Sequence, residues 1–328
     1  MRVKQLLFTR MEVYLVILAA LMPLWLNSVS FHHVMTIAGL YAMGALGLSV
    51  FMGFAGQISI GHSAFVGLGA YTTAILAVKT PLPTMACLAA SAVVPGLTAW
   101  IMGRPILKLR EYFLALATIG LVQIFQVLTT ELDWLTGGVE GLYNLPWLSV
   151  FGLSFDRPLE QVYLVWALVY LAFLFSRNLC SSAYGRAFRI VAASEDTART
   201  LGISPESMKT RAFVFSAVTA GLAGGLYACV FGSVSPQAFG LDMSVMLVLM
   251  VIVGGMGSLP GTLAGSLLIT WLATWLSGYQ QYSLIVYGII LIMLLVFFPE
   301  GIFRGIGARW VDLVRTYADQ DWRKELRR

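Results

Sequence analysis

Residues 186–211 read RAFRIVAASEDTARTLGISPESMKTR and form a charged island in an otherwise apolar sequence. Apolar stretches long enough to cross a membrane lie on both sides of it. Because charged side chains avoid the hydrocarbon core of a bilayer, the island is expected to lie in water. The flanking sequence therefore predicts a membrane protein, and the island is its largest internal contact with the aqueous phase.

The composition of the whole chain supports this interpretation. Of its 328 residues, 59% are hydrophobic and 11% are charged, whereas about a quarter of the residues in a soluble protein are charged. Residues 13–78 contain no Asp, Glu, Lys or Arg, and residues 212–299 contain only Asp242. Since one helix needs about 20 residues to cross the bilayer, each of these runs must hold several spans.

The apolar windows predict an all-α, polytopic transmembrane bundle of about ten helices in a single domain, residues 1–328. The amino end resembles a signal peptide, but it has no cleavage site with small residues and further spans follow, so we expect an uncleaved first helix. The expected spans are 13–29, 34–52, 58–78, 83–103, 112–130, 160–177, 211–231, 242–256, 262–277 and 282–299.

The distribution of basic residues predicts the orientation. Lys and Arg occur in the amino terminus (1–12), the turn at 104–110, the central loop (178–210) and the tail (300–328). Ten spans that begin in the cytoplasm put all four on the cytoplasmic side, as the positive-inside rule requires. The same count puts the acidic segment 131–158 outside. Its aromatic residues fit either an interfacial belt or a docking surface for an outside protein.

The glycine-rich stretch GFAGQISIGHSAFVGLGAY, residues 53–71, is expected to break the second and third helices where they meet. Each glycine weakens a helix by about 1 kcal/mol relative to alanine. Non-helical backbone at membrane depth survives only where protein or water satisfies it, so we predict a cavity here. A second run, GGMGSLPG at 254–261, fits either a tight interhelical turn or a functional hinge.

An echo of this break occurs in the second half of the chain. GQIS at 56–59 with Ala-Phe at 64–65 compares with GSVS at 232–235 and Ala-Phe at 238–239, although the match needs a gap of a few residues. The predicted topology puts the two copies at opposite sides of the membrane, as inverted transporter repeats require, although chance similarity is an alternative. Half-helix ends at such breaks suit the carboxylate and ammonium of a zwitterion. The predicted path residues are Gln57, Ser59, His62 and Ser63, with Ser233, Ser235 and Gln237 opposite.

The charged island carries two helix start signals. Ser194 precedes two acids that suit the positive end of a helix, and Gly202 is expected to end that helix. Ser204 followed by Pro205 starts another, which feeds into the span at 211. A short helix in water, stiffly joined to a membrane helix, can transmit a push from a soluble partner. An ordinary solvated connector is the alternative.

Three stretches, GQISIGHSAFVGLGAY (56–71), AASEDTARTLGI (192–203) and GGMGSLPGTLAGSLL (254–268), occur in this order. Together they resemble the Liv-type permeases of branched-chain amino acid ABC importers, in particular the M-like subunit. The likeness covers about residues 35–300. In that family the middle stretch is the cytoplasmic coupling loop that contacts the ATPase. By resemblance, the coupling residues are Glu195, Asp196, Arg199 and Gly202.

The resemblance implies an importer of branched-chain or other hydrophobic amino acids in the bacterial inner membrane. It also implies a second, similar permease, two cytoplasmic ATP-binding subunits and an extracytoplasmic substrate-binding protein as partners. The chain itself would contact membrane lipid. Because no lysine lies in a GxxxxGK[ST] motif, this chain has no phosphate-binding loop of its own.

The sequence suggests no cofactor, metal or catalytic site. The three cysteines form no CxxC motif and are expected to be free thiols, and no carboxylate or cysteine lies near any of the three histidines in the sequence. The basic residues sit at the ends of apolar runs, which argues against nucleic-acid binding. The cysteines are Cys87, Cys180 and Cys229.

Two other functions fit parts of the pattern. The same machinery could carry urea or short amides, because permeases for these share the three motifs. An ion-coupled secondary carrier would work without partners. Such carriers usually keep ionisable groups inside the membrane, and their near-absence here favours energy delivered from outside the bilayer.

The double substitution Glu195→Lys with Gly202→Pro should leave the protein inserted in the membrane and abolish transport. The lysine reverses the charge at the expected helix start, and the proline prevents the turn that ends the helix. Membrane fractionation measures insertion, and uptake of labelled substrate measures transport. Wild-type uptake by the double variant would contradict the idea that this helix transmits a push from a soluble partner.

Overall fold

The computed structural model describes residues 28–109, 111–150 and 153–276, together with residues 285, 286, 288, 289 and 293. Within these residues the chain is a helical bundle with short strands at one end. The helices are α1 (Val29–Ser49), α2 (His62–Lys79), α3 (Thr84–Ile106), α4 (Glu111–Glu131), α5 (Asp133–Thr136), α6 (Pro158–Ser181), α7 (Ala183–Ala193), α8 (Glu195–Thr200), α9 (Pro205–Phe231), α10 (Leu241–Gly254) and α11 (Leu259–Leu276). The strands are β1 (Leu142–Tyr143), β2 (Ser149–Val150), β3 (Leu153–Ser154) and β4 (Ser233–Val234).

The predicted all-α polytopic fold is confirmed. Among the described residues, seven helical segments are long and apolar enough to cross a membrane. The helix α2 joins them in the bundle, although its glycines and polar residues lower its hydropathy. The predicted spans 13–29 and 282–299 lie almost entirely outside the described residues, so the count of ten stays a prediction.

The helices α1 and α9 form the centre of the bundle. In α1 and the turn after it, 83% of the most apolar window is buried, and in α9 the figure is 72%. The helix α1 packs against α10 and α11, which come from the second half of the chain. The helix α9 packs against α2 and α3, which come from the first half. The two halves of the chain thus share one core, and the inverted repeats stay a prediction.

The two similar stretches, GQIS at 56–59 and GSVS at 232–235, each lie where a helix ends and the backbone becomes irregular. The π-helical turn Val50–Phe54 ends α1, and Gly56 follows with φ +67°. The last turn of α9 is followed by Gly232 with φ +64°. Only glycine adopts this left-handed conformation without strain. After each glycine the chain leaves helical geometry, and a new helix begins at His62 in the first half and, after a 3₁₀ turn, at Leu241 in the second.

Small residues let α9 approach its neighbours at backbone distance. A Cβ built on Gly224 would overlap the carbonyl oxygen of Val66 in α2, and one built on Gly69 would overlap that of Gly221. In a bilayer, where lipid tails are as apolar as leucine, such close van der Waals packing is what drives helices together. The α2–α9 contact is therefore a rigid one.

Replacing Gly224 with alanine should destabilise the protein by about 1–3 kcal/mol, because the added methyl group meets backbone atoms that cannot move aside. Gly120→Ala is the matched control, since a Cβ at Gly120 meets nothing within 4 Å and alanine favours the helix. Thermal unfolding in detergent should give a lower Tm for Gly224→Ala and an equal or higher one for Gly120→Ala. Equal Tm values for both variants would contradict the close packing.

Candidate substrate path and coupling segment

The imidazole of His62 is the centre of a buried polar cluster at the first break. Its Nε2 lies 2.7 Å from the Oγ of Ser216 in α9, and its Nδ1 lies 3.1 Å from the Oγ of Ser59. The side chain of Gln57 donates instead to the carbonyl oxygens of its own turn, at Ala55 and Gly56. The cluster thus joins the start of α2 to the middle of α9.

Further hydrogen bonds tie the break to three other helices. The Oγ of Ser244 in α10 accepts from the backbone N–H of Ser63 (3.0 Å) and donates to its Oγ (2.7 Å). The backbone N–H of Ile60 donates to Thr118 of α4 (3.1 Å). One turn before the break, the hydroxyl of Thr262 in α11 donates to the Oγ of Ser49 (2.9 Å). The irregular backbone is satisfied by protein, as a break at membrane depth requires.

The predicted cavity at this break is closed in the structure. Gln57 is 5% exposed, His62 is 1% exposed, and Ser59 and Ser63 are fully buried. Ser216 lies 11 residues after the start of α9, which puts the cluster about 16 Å along that helix. Four of the predicted path residues therefore sit together, inside the bundle.

The other three predicted path residues lie at the far end of α9. Ser233 pairs with Tyr143 where β1 and β4 form a short antiparallel ribbon, and the side chain of Gln237 donates to Val139 (3.4 Å). Ser235 is half-buried beside them. Ser233 lies 17 positions after Ser216, so about 25 Å lies between the two groups. The structure does not bring them opposite each other, and their role in a path stays a prediction.

Sequence reasoning missed an aromatic cluster between these two groups. Tyr71 of α2, Phe125 of α4 and Phe239 of the second break pack edge to face, with ring centroids 6.0–6.5 Å apart, and Tyr227 of α9 lies 5.3 Å from Phe239. The hydroxyl of Tyr71 is buried without a hydrogen-bond partner in the described part of the chain. Its position in the glycine-rich stretch was the only sequence signal.

The charged island has the predicted caps. The Oγ of Ser194 accepts from the backbone N–H of Thr197 (3.2 Å) at the start of α8. Gly202 follows α8 with φ +74°. The Oγ of Ser204 accepts from Ser207 (3.4 Å), and Pro205 opens α9. The segment predicted as the loop 178–210 is mostly helical, because α6 runs to Ser181 and α7 fills the space before Ser194.

Ion pairs hold α8 against the start of α9. The Nζ of Lys209, whose side chain is 8% exposed, lies 2.5 Å from a carboxylate oxygen of Glu195. The guanidinium of Arg199 lies 3.1 Å from Glu206, 3.3 Å from Asp196 and 3.5 Å from Glu195. The hydrogen bond to Glu206 raises the pKa of Arg199. Three of the four predicted coupling residues, all but Gly202, thus belong to one charged cluster.

The helix α7 connects this cluster to the first break. It buries Phe188 and Val191 against the bundle, and a Cβ on Gly56 would lie 2.9 Å from the Cβ of Ala192. The guanidinium of Arg189 lies 5.9 Å from the ring centroid of Phe54. A displacement of α7 and α8 would therefore reach the break at Gly56 as well as α9.

A bundle of apolar helices with two breaks, a buried polar cluster and a charged segment attached to its central helix defines a membrane transport permease. Residues 30–297 match a family model described as "Branched-chain amino acid transport system / permease component". The chain belongs to this family, the Liv-type permease subunits of ABC importers.

Individual relatives agree with this assignment. The high-affinity branched-chain amino acid transport system permease protein LivM of Escherichia coli K12 is 30% identical over 318 residues, which is 89% of this chain and 75% of LivM. LivM of Salmonella typhimurium is 30% identical over 81% of this chain and 68% of its own length. LivH of Escherichia coli K12 is 24% identical over 81% of this chain and 92% of LivH. No solved structure gave a significant match.

Glu195→Gln should loosen α8, because it leaves the nearly buried ammonium of Lys209 without its carboxylate. Losing a hydrogen bond to a charged group costs about 1–2 kcal/mol here, so amide hydrogen exchange in 195–202 should rise roughly ten-fold. Asp196→Asn is the matched control, since the side chain of Asp196 is 95% exposed and its pair contributes little. Equal exchange in the two variants would contradict the role assigned to the Lys209–Glu195 pair.

Proposed function

We propose that this permease imports branched-chain amino acids across the bacterial inner membrane. Two cytoplasmic ATP-binding subunits would supply the energy, a second, similar permease would complete the pathway, and an extracytoplasmic binding protein would deliver the cargo. The names of the relatives support the cargo. The absence of a phosphate-binding loop from the 328 residues supports an external source of energy.

The observation that carries the proposal is the joint between α8 and α9. The side chain of Lys209, which is 8% exposed, pairs with Glu195 and so bridges α8 to the first turns of α9. On the same segment, Asp196 and Thr197 are exposed and open to a soluble partner. The helix α9 is uninterrupted over 27 residues and about 40 Å long. A push on α8 would therefore also move the far end of α9.

The path would open beside the His62 end of α2, where this end would move away from α9 and α10 while the close packing at Gly69 and Gly224 holds the rest of α2 against α9. This movement would break the bonds from His62 to Ser216 and from Ser63 to Ser244, and would leave hydroxyl and imidazole groups free to bind a zwitterion. The aromatic cluster around Tyr71 supplies an apolar surface for a hydrophobic side chain, and its unpartnered hydroxyl supplies one further polar contact. Ser233, Ser235 and Gln237 would then line the path where the binding protein releases its cargo.

The proposed orientation puts both termini and α8 in the cytoplasm. The basic residues of α7 and α9 near the charged island support it, because Lys and Arg are retained on the cytoplasmic side. The segment 131–158 would then face the binding protein. It is joined to the second break by the β1–β4 pairing, so docking there would act directly on the outer end of α9.

Reconstitution into liposomes tests the proposal. Vesicles that hold the chain with its second permease, ATP-binding subunits and binding protein should take up leucine only when ATP is supplied. Excess isoleucine or valine should reduce that uptake, whereas urea or acetamide should not. A matched preparation with an ATPase subunit unable to hydrolyse ATP should show no uptake.

Two results would contradict this function. Leucine uptake by the chain alone under an ion gradient would make it a secondary carrier. Uptake of urea or a short amide in place of leucine would keep the mechanism and overturn the cargo.

A further inference from the structure

A groove of about 830 Å³ lies beside the charged island. It is lined by the end of α3, the end of α6, α7 and the start of α9. Its rim carries Arg104, Lys108 and Arg211, and its walls include Trp100, Phe188 and Val214. The polar path residues are not part of its lining. The groove is therefore separate from the proposed substrate path.

The rim of the groove is positively charged. Of the ion pairs found in the described part of the chain, none involves Arg104, Lys108 or Arg211, and all three residues are exposed. The one acid in the lining, Glu206, lies 3.1 Å from Arg199 and is therefore already paired. Three cations around one opening attract an anionic group.

Aromatic rings position two of these cations. The guanidinium of Arg104 stacks over the ring of Trp100, 4.3 Å from its centroid, and that of Arg211 lies 5.2 Å from the centroid of Tyr184. Trp100 is 47% exposed and Tyr184 is 48% exposed. Amphipathic rings of this kind are enriched where the apolar core of a bilayer meets its headgroups. The groove thus combines the residues of a membrane interface with a cationic rim.

An apolar stripe continues from the groove along α3. Val93, Leu97 and Trp100 recur at helical spacing and are 56%, 53% and 47% exposed, so they share one uncovered face of the helix. A free phosphate would use only the rim. A phospholipid would use the rim for its phosphate and the stripe for its acyl chains.

We infer that this groove binds one anionic phospholipid. Its phosphate lies among Arg104, Lys108 and Arg211, and its acyl chains run past Trp100 along the exposed face of α3. Basic pockets between helix ends at a membrane surface bind lipid headgroups in this way. Because α7 and the start of α9 form two of its walls, the lipid would brace the coupling segment against the bundle. This inference does not depend on the cargo.

Native mass spectrometry of the full-length chain, delipidated in mild detergent, tests the inference. Phosphatidylglycerol should bind as a single retained molecule more tightly than phosphatidylcholine with the same acyl chains, and excess inorganic phosphate should not displace it. The double variant Arg104→Gln with Arg211→Gln should weaken this binding roughly 10- to 100-fold. Val214→Trp, which fills the groove without changing its charge, should weaken it as well.

The matched control is Lys79→Gln with Arg157→Gln, which removes two exposed cations at the other end of the bundle. It should bind phosphatidylglycerol as the wild type does. Unchanged binding in either groove variant would overturn the inference, and so would equal losses in the groove and control variants or full displacement by phosphate. A groove variant that keeps the lipid but loses a co-purified partner subunit would make this surface a protein interface and overturn it too.

Discussion

The backbone contact between α2 and α9 is the constraint on which the rest of the structure depends. Gly69 and Gly224 lack the side chains that would hold the two helices apart, and the resulting van der Waals packing replaces the hydrophobic effect, which does not drive helix association in lipid. Beside this contact, α9 runs as one uninterrupted helix from the charged island to the second break. The contact also brings His62 to Ser216, and so sets the position of the buried polar cluster.

The bundle keeps charge out of its interior and uses neutral hydrogen bonds there. Between Ala212 and Pro299 the only charged residue is Asp242, which is exposed in the first turn of α10, where an acid suits the helix dipole. Hydrogen bonds between hydroxyls, imidazole and backbone are broken more easily than buried ion pairs. An interior of this kind can open and close without moving a buried charge, which fits the proposal that energy enters at the charged island.

Much of the local structure could be predicted from the sequence because its causes are local. Ser194, Gly202 and Ser204 specify the caps of α8 and α9 through residues within three or four positions, and the glycines at the two breaks specify left-handed turns. Pairings across the chain could not be predicted. Ser216 lies 154 positions from His62, and nothing near either residue points to the other. The two groups of path residues share a motif yet lie at different depths, because α9 separates them.

The central claim is that energy reaches the bundle through α8 from the cytoplasmic side. Asp196→Cys places a thiol on α8 at a position where the native side chain is 95% exposed. The native cysteines, Cys87, Cys180 and Cys229, are free and buried. A membrane-impermeant maleimide should label this variant in inside-out vesicles and leave it unlabelled in intact cells. Labelling in intact cells, with none in inside-out vesicles, would put α8 on the outer face, beyond the reach of any ATPase, and would contradict the claim.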